Sequence, residues 1–91
     1  MTTLMRHILE VYVAPDCWGC DTARRLVELV RGLRLPGLEV RLIDLAAPDA
    51  VRPPSVTVVP TYLLNGRVLS RGNPDEDELL RRLQSSRSES S

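Results

Sequence analysis

The chain has no lysine, no net charge, no long apolar run and a single histidine, and each shortage narrows what the protein can be. Twelve arginines balance twelve carboxylates, so no surplus charge remains to draw in a phosphate backbone or an anionic membrane surface. Nucleic acid and membranes are therefore not expected partners. The exclusive use of arginine as cation fits a GC-rich coding bias and implies no partner of its own. No apolar stretch approaches the roughly 20 residues of a membrane-spanning helix. The segment "MTTLMRHILEVYV" interrupts its apolar positions with Arg6 and Glu10 and offers no small-residue cleavage site. It does not read as a secretory signal, and the expected location is the cytoplasm. With 91 residues there is material for one domain, which buries about 60 to 65% of its unfolded surface. No internal repeat is visible.

The two cysteines, in "VYVAPDCWGCDTARRL", are more informative. In a chain expected inside the cell, the C-x-x-C spacing of Cys17 and Cys20 favours redox or metal chemistry over a structural staple. Two inert core thiols are the plain alternative. Stable zinc binding usually needs four ligands, and beyond the thiols only His7 and scattered carboxylates are present. His7 stands at the end of the first strand opposite the cysteines and reads as a surface histidine, so no metal ligand set is assigned. No cofactor is expected.

Residues 8–14, "ILEVYVA", read as a strand with Leu9, Val11 and Val13 on an aliphatic face and Ile8, Glu10, Tyr12 and Ala14 on a mixed one. From Trp18 to about Leu33 the apolar positions Ala23, Leu26, Val27, Val30 and Leu33 recur at helical spacing, and Leu35-Pro36-Gly37 stops the helix. Residues 38–45, "LEVRLIDL", form a second strand. A strand, helix and strand in this length make a βαβ unit with parallel pairing. Pro48, Pro53 and Pro54 leave residues 46–55 a loop with at most one helical turn. Residues 56–64 and 67–71 flank Asn65-Gly66, a pair suited to the positive φ angles of a type I′ turn, and predict an antiparallel hairpin. Asn73 as N-cap, Pro74 at the first helical position and Asp75, Glu76 and Asp77 behind them predict a last helix that buries Leu79, Leu80 and Leu83. The domain is assigned to residues 1–84, with 85–91, "SSRSESS", as a disordered tail.

The order β-α-β, loop, β-β-α with C-x-x-C between first strand and first helix resembles the thioredoxin and glutaredoxin superfamily over residues 8–83. Two motifs carry the resemblance. One is Cys17-Trp18-Gly19-Cys20; the other is Val59-Pro60-Thr61, which looks like the superfamily's cis-proline facing the cysteines. A proline inside the apolar run "VTVVPTYLL" deletes a ladder donor, which a bulge or cis bond beside a functional site explains. The fold implied is α/β: a minimal thioredoxin-like fold with a four-stranded mixed sheet and the middle helix shortened or absent. The chain departs from the thioredoxin pattern at Trp18-Gly19, between the cysteines. It also departs at Val11, where thioredoxins keep a buried aspartate, and in the Pro-rich loop. Gly72-Asn73-Pro74-Asp75 only half matches the glutaredoxin Gly-Gly-x-Asp segment that holds glutathione.

The resemblance implies a thiol–disulfide oxidoreductase with Cys17 as nucleophile and Cys20 as resolving thiol. Trp18, Val59, Pro60 and Thr61 would contact the substrate, a disulfide-containing client protein or a small thiol. A reductase or glutathione would donate electrons. Asp16 beside Cys17 opposes thiolate formation, and Arg24 is placed to offset it. In the superfamily the first and last helices cover one sheet face; without a middle helix the other face, with Glu10, Tyr12, Glu39 and Arg41, is expected half open. Glu10 and Arg41 would pair across it, and the protein would be a monomer or a weak dimer through it. Two further readings stay open: a non-catalytic thioredoxin-like interaction module, and a C-x-x-C protein handling copper or zinc. Tyr12 and Tyr62 read as packing residues.

Overall fold

Leu9, Val11 and Val13 are fully shielded from solvent, and the elements around them are arranged to shield them. A computed structural model describes the backbone over residues 6–89 and the side chains over 6–84. The elements in order are β1 (His7–Val13), α1 (Cys20–Leu33), β2 (Leu38–Asp44), β3 (Thr61–Leu64), β4 (Arg67–Arg71) and α2 (Glu76–Glu89). They build one four-stranded sheet in the order β2-β1-β3-β4. β1 pairs parallel with β2 and antiparallel with β3, and β3 pairs antiparallel with β4. This is the mixed α/β architecture that the order of motifs implies.

Both helices pack on the face carrying the aliphatic stripe. Ala23, Leu26, Val27 and Val30 of α1 and Leu79 and Leu83 of α2 join Leu9, Val11, Val13 and Tyr62 in one core, with Leu38, Val40 and Leu42 of β2 at its margin. Leu33, expected in that core, is 45% exposed. Helix α1 ends at Leu33, where its apolar period predicts: Arg34 turns left-handed with φ 51° and donates its backbone N–H to Arg31 O. Pro36 biases Leu35 toward extended backbone, which favours ending the helix by Arg34.

The other sheet face is covered at one end and charged at the other. Val56, from the Pro-rich connection, packs with Tyr12 and Leu63 in a second small core bordered by Ile43, Leu45 and Val68. Toward the start of β1, Glu10 lies opposite Arg41 in register, and Arg41 reaches Glu10 at 3.8 Å and Glu39 at 2.6 Å. The hydrogen bond from Arg41 lowers the Glu39 pKa below the ordinary carboxylate range. The loop 46–55 forms turns without a helix.

Three boundaries differ from the sequence expectation. Strand β3 begins at Thr61, so residues 56–60 are not strand. Pro60 cannot donate to a ladder, and the Thr61 hydroxyl closes a local turn on Val58 O at 2.6 Å in place of sheet pairing. Helix α2 begins at Glu76 with Asp75 as the capping group, its carboxylate accepting the Asp77 N–H and its carbonyl the Leu79 N–H; Asn73 is not the cap. The same helix runs to Glu89, into the segment expected as a disordered tail. No glycine or proline interrupts it after Leu83, and Ser, Gln and Arg each cost helix only fractions of a kcal/mol. The hairpin turn behaves as expected, with Asn65 at φ 53° and Gly66 at φ 83°. His7 is 7% exposed and not a surface residue, because Asn65 folds back: its Nδ2 lies 2.9 Å from His7 Nδ1 while its Oδ1 accepts the Ile8 N–H.

Leu79→Ala should lower the unfolding free energy by about 2 to 5 kcal/mol, the usual cost of emptying a buried leucine site. Leu33→Ala, on the exposed side of α1, should change it by no more than about 1 kcal/mol. Urea melts of the two variants check the contrast.

Candidate active site

β1 delivers the chain to the edge of the core at Val13, and Ala14-Pro15-Asp16 turns it toward α1. The Cys17 N–H closes that turn on Pro15 O at 2.6 Å, and the Cys20 N–H reaches Cys17 O at 3.3 Å. Gly19, at φ 96°, is the left-handed residue that starts the helix, a conformation L side chains rarely adopt. Cys20 is the first residue of α1 and is buried at 3% exposure, held there by the same packing that buries Ala23. Cys17 is half-buried against the core edge, and Trp18 between them stands 87% exposed. The two sulfurs are joined as a disulfide, with Cα atoms 5.4 Å apart.

Gly19, at the N-cap, offers no side chain to cap α1, and no side-chain capping hydrogen bond is made there among the described residues. The first turn of α1 therefore presents backbone amides and the positive end of the helix dipole beside the cysteines, which favours a thiolate over a thiol. Arg24 does not offset Asp16 as expected: it pairs with Asp44 at the end of β2, at 3.5 Å.

The second motif lies against the first. The Val59–Pro60 peptide bond is cis, and a Cβ built on Gly19 would stand 4.0 Å from Pro60 Cδ. Pro60 O accepts the Gly72 N–H at 2.7 Å, tying the segment before β3 to the one after β4. Of the four residues expected to contact substrate, Trp18 is open to solvent and Val59 is half-buried, while Pro60 is buried next to the cysteine turn. Thr61 does not present its side chain: it is fully buried, with its hydroxyl on Val58 O.

Two residues belong to this site that sequence reasoning assigned elsewhere. Asn73 donates from Nδ2 to Gly19 O at 2.8 Å, and its Oδ1 accepts the Tyr62 hydroxyl at 2.8 Å. Tyr62 is thus more than a packing residue, and its burial pushes its pKa well above the ordinary value. The available signal was a lone hydroxyl-bearing ring on the apolar face of β3, which needs a partner when buried.

The architecture, here with a bonded cysteine pair at a helix start, is shared with known folds. The thioredoxin of Fasciola hepatica superposes with a TM-score of 0.57 over 94% of this chain and 82% of that chain, at 22% sequence identity. The fold is thioredoxin-like. No protein-family model matches the sequence, and no curated protein matches it. In this minimal thioredoxin-like fold the C-x-x-C pair stands where β1 hands over to α1. Among the described residues, no three or more His, Cys, Asp or Glu side chains gather into a group that could hold a metal ion. No helix among them is long and apolar enough to cross a membrane.

The Tyr62 hydroxyl should resist ionisation in the folded protein. Its folded pKa lies above the unfolded value of about 10, so unfolding at high pH releases a proton. Stability is then present in full below about pH 10 and falls as pH rises above it. Alkaline titration of tyrosinate absorbance, read beside circular dichroism, should show one tyrosine ionising only as the fold is lost.

Proposed function

We propose that the protein is a thiol–disulfide oxidoreductase that works through the Cys17/Cys20 dithiol–disulfide couple. The observation that carries this reading is the unequal setting of the two sulfurs. Cys17 is half-buried on the turn leading into α1, Cys20 is buried as the first helical residue, and the two are close enough to be bonded.

In the reducing direction the Cys17 thiolate attacks one sulfur of a client disulfide, forming a mixed disulfide and expelling the other client sulfur as a thiolate, which takes up a proton. Cys20 then loses its proton and attacks Cys17 Sγ. The Cys17–Cys20 bond forms, the mixed disulfide breaks, and the client leaves as a dithiol. Two electrons have passed from protein to client, and an external reductase or glutathione returns them. Burial keeps Cys20 from competing as first nucleophile, because attack by a shielded sulfur requires the client to enter the core.

Trp18 and the backbone of Val59 flank the cysteines and offer a client an apolar platform and main-chain hydrogen bonds, with Pro60 as the wall between them. Thr61, its hydroxyl turned inward, supplies only backbone. The client is a disulfide-containing protein or a small thiol, the setting is the cytoplasm, and the protein works as a monomer or as a weak dimer through the charged half of the second sheet face. Structural zinc binding is less favoured: the two sulfurs have no third ligand gathered beside them among the described residues.

Titration in graded dithiothreitol buffers should show a reversible disulfide between Cys17 and Cys20; its absence would sink the reading. Cys17→Ser should reduce insulin-type disulfides at least about 100-fold more slowly than the parent. Cys20→Ser should still attack but accumulate a mixed disulfide, visible as an added client mass in non-reducing mass spectrometry.

A further inference from the structure

Asn73 holds a hydrogen-bond chain that the proposed sulfur chemistry does not itself use. Gly19 O lies in the link between the cysteines, and a backbone carbonyl can only accept. The side-chain group 2.8 Å from it must therefore be the Asn73 amide nitrogen, which turns Oδ1 toward Tyr62 and requires the Tyr62 hydroxyl to donate. The orientation of Asn73 is thus set by its two partners, one in the cysteine turn and one in the core of β3. Gly19 O accepts a second bond from the Ala23 N–H at 3.0 Å, the first rung of α1. The approach is close as well: a Cβ on Gly19 would meet Asn73 Nδ2 at 3.1 Å.

We propose that Asn73, anchored by Tyr62, is a positioning residue for the Cys17/Cys20 couple. It holds the turn over the start of α1 so that the two sulfurs stay within bonding reach when the bond between them is open. The inference rests on the reading of the pair as a redox couple and adds which residue sets its equilibrium. In the disulfide form the turn is already tied by the sulfur–sulfur bond, and the hydrogen bond adds little restraint. In the dithiol form that bond is gone, and the Asn73 contact limits how far Cys17 can move from Cys20. Restraint of the open form raises the effective concentration of one thiol at the other and so favours closure. Removing the contact frees the dithiol form more than the disulfide form and shifts the couple toward dithiol.

The test is equilibration of each variant with dithiothreitol, whose oxidation to the cyclic disulfide supplies the two electrons and two protons that open the Cys17–Cys20 bond. The parent chain is measured first, since lack of a reversible couple there overturns the redox reading before any variant is made. Asn73→Ala should shift the equilibrium constant toward dithiol about three- to tenfold, which for a two-electron couple is a potential higher by about 15 to 30 mV. Asn73→Asp should shift it at least as far, because an acceptor then faces the Gly19 carbonyl. Tyr62→Phe, which keeps the ring and removes only the anchoring hydroxyl, should shift it in the same direction and carries the test if Asn73→Ala does not fold. Leu83→Ala should lower the melting temperature without moving the constant. A constant unchanged within about 1.5-fold in Asn73→Ala or, failing that variant, in Tyr62→Phe would overturn the proposal. So would a shift toward disulfide, or an equal shift in Leu83→Ala, which would mark a general loss of stability.

Discussion

Burial of the β1 stripe is the constraint on which the rest of the molecule depends. Leu9, Val11 and Val13 can leave water only if both helices lie on one face of the sheet, and α1 can lie there only if it starts at the end of β1. That handover places Cys20 inside the core and leaves Cys17 at its rim. The unequal exposure of two chemically identical side chains is a consequence of packing. On the proposed function, that inequality is what separates an attacking sulfur from a resolving one.

Around that handover, three segments distant in sequence are tied by three short contacts. The Gly72 N–H meets Pro60 O, the Asn73 amide meets Gly19 O, and the Tyr62 hydroxyl meets Asn73 Oδ1. The last of these satisfies the hydroxyl of the fully buried Tyr62, which unpaired would cost about 1 to 3 kcal/mol. The opposite sheet face is organised differently. Val56 from the Pro-rich connection seals Tyr12 and Leu63, taking on in miniature the covering work of a helix, while Glu10, Glu39 and Arg41 leave the other end to water.

Much of this was legible because the relevant forces are local. Alternation in "LEVRLID" identifies β2 and its inward face, since a period of two has only one arrangement against a core. Asn65-Gly66 identifies the hairpin because both residues tolerate positive φ. Cys17-Trp18-Gly19-Cys20 and Val59-Pro60-Thr61 mark the candidate site through residues that a plain strand and helix would not carry. The misreadings have physical causes, two of them distant and one local. Asn73 was assigned as a helix cap because it precedes Pro74 and a run of acids, yet its partners lie in the cysteine turn and in β3. His7 was assigned to the surface because the fold of Asn65 back over it cannot be seen from either residue alone. Residues 56–60 alternate like a strand, but the bond from Thr61 to Val58 O and the missing donor at Pro60 outweigh that pattern.

By itself, then, the sequence determined the element order, the inward faces of the strands, the hairpin turn and the placing of the C-x-x-C pair at the start of α1, because periodicity and turn chemistry act over a few residues. Only the tertiary structure decided that Thr61 turns inward, that Arg24 serves Asp44 and that Asn73 belongs to the cysteine turn. Gly19 and Asn73 are 54 positions apart, and no local pattern encodes which distant carbonyl a single amide will meet.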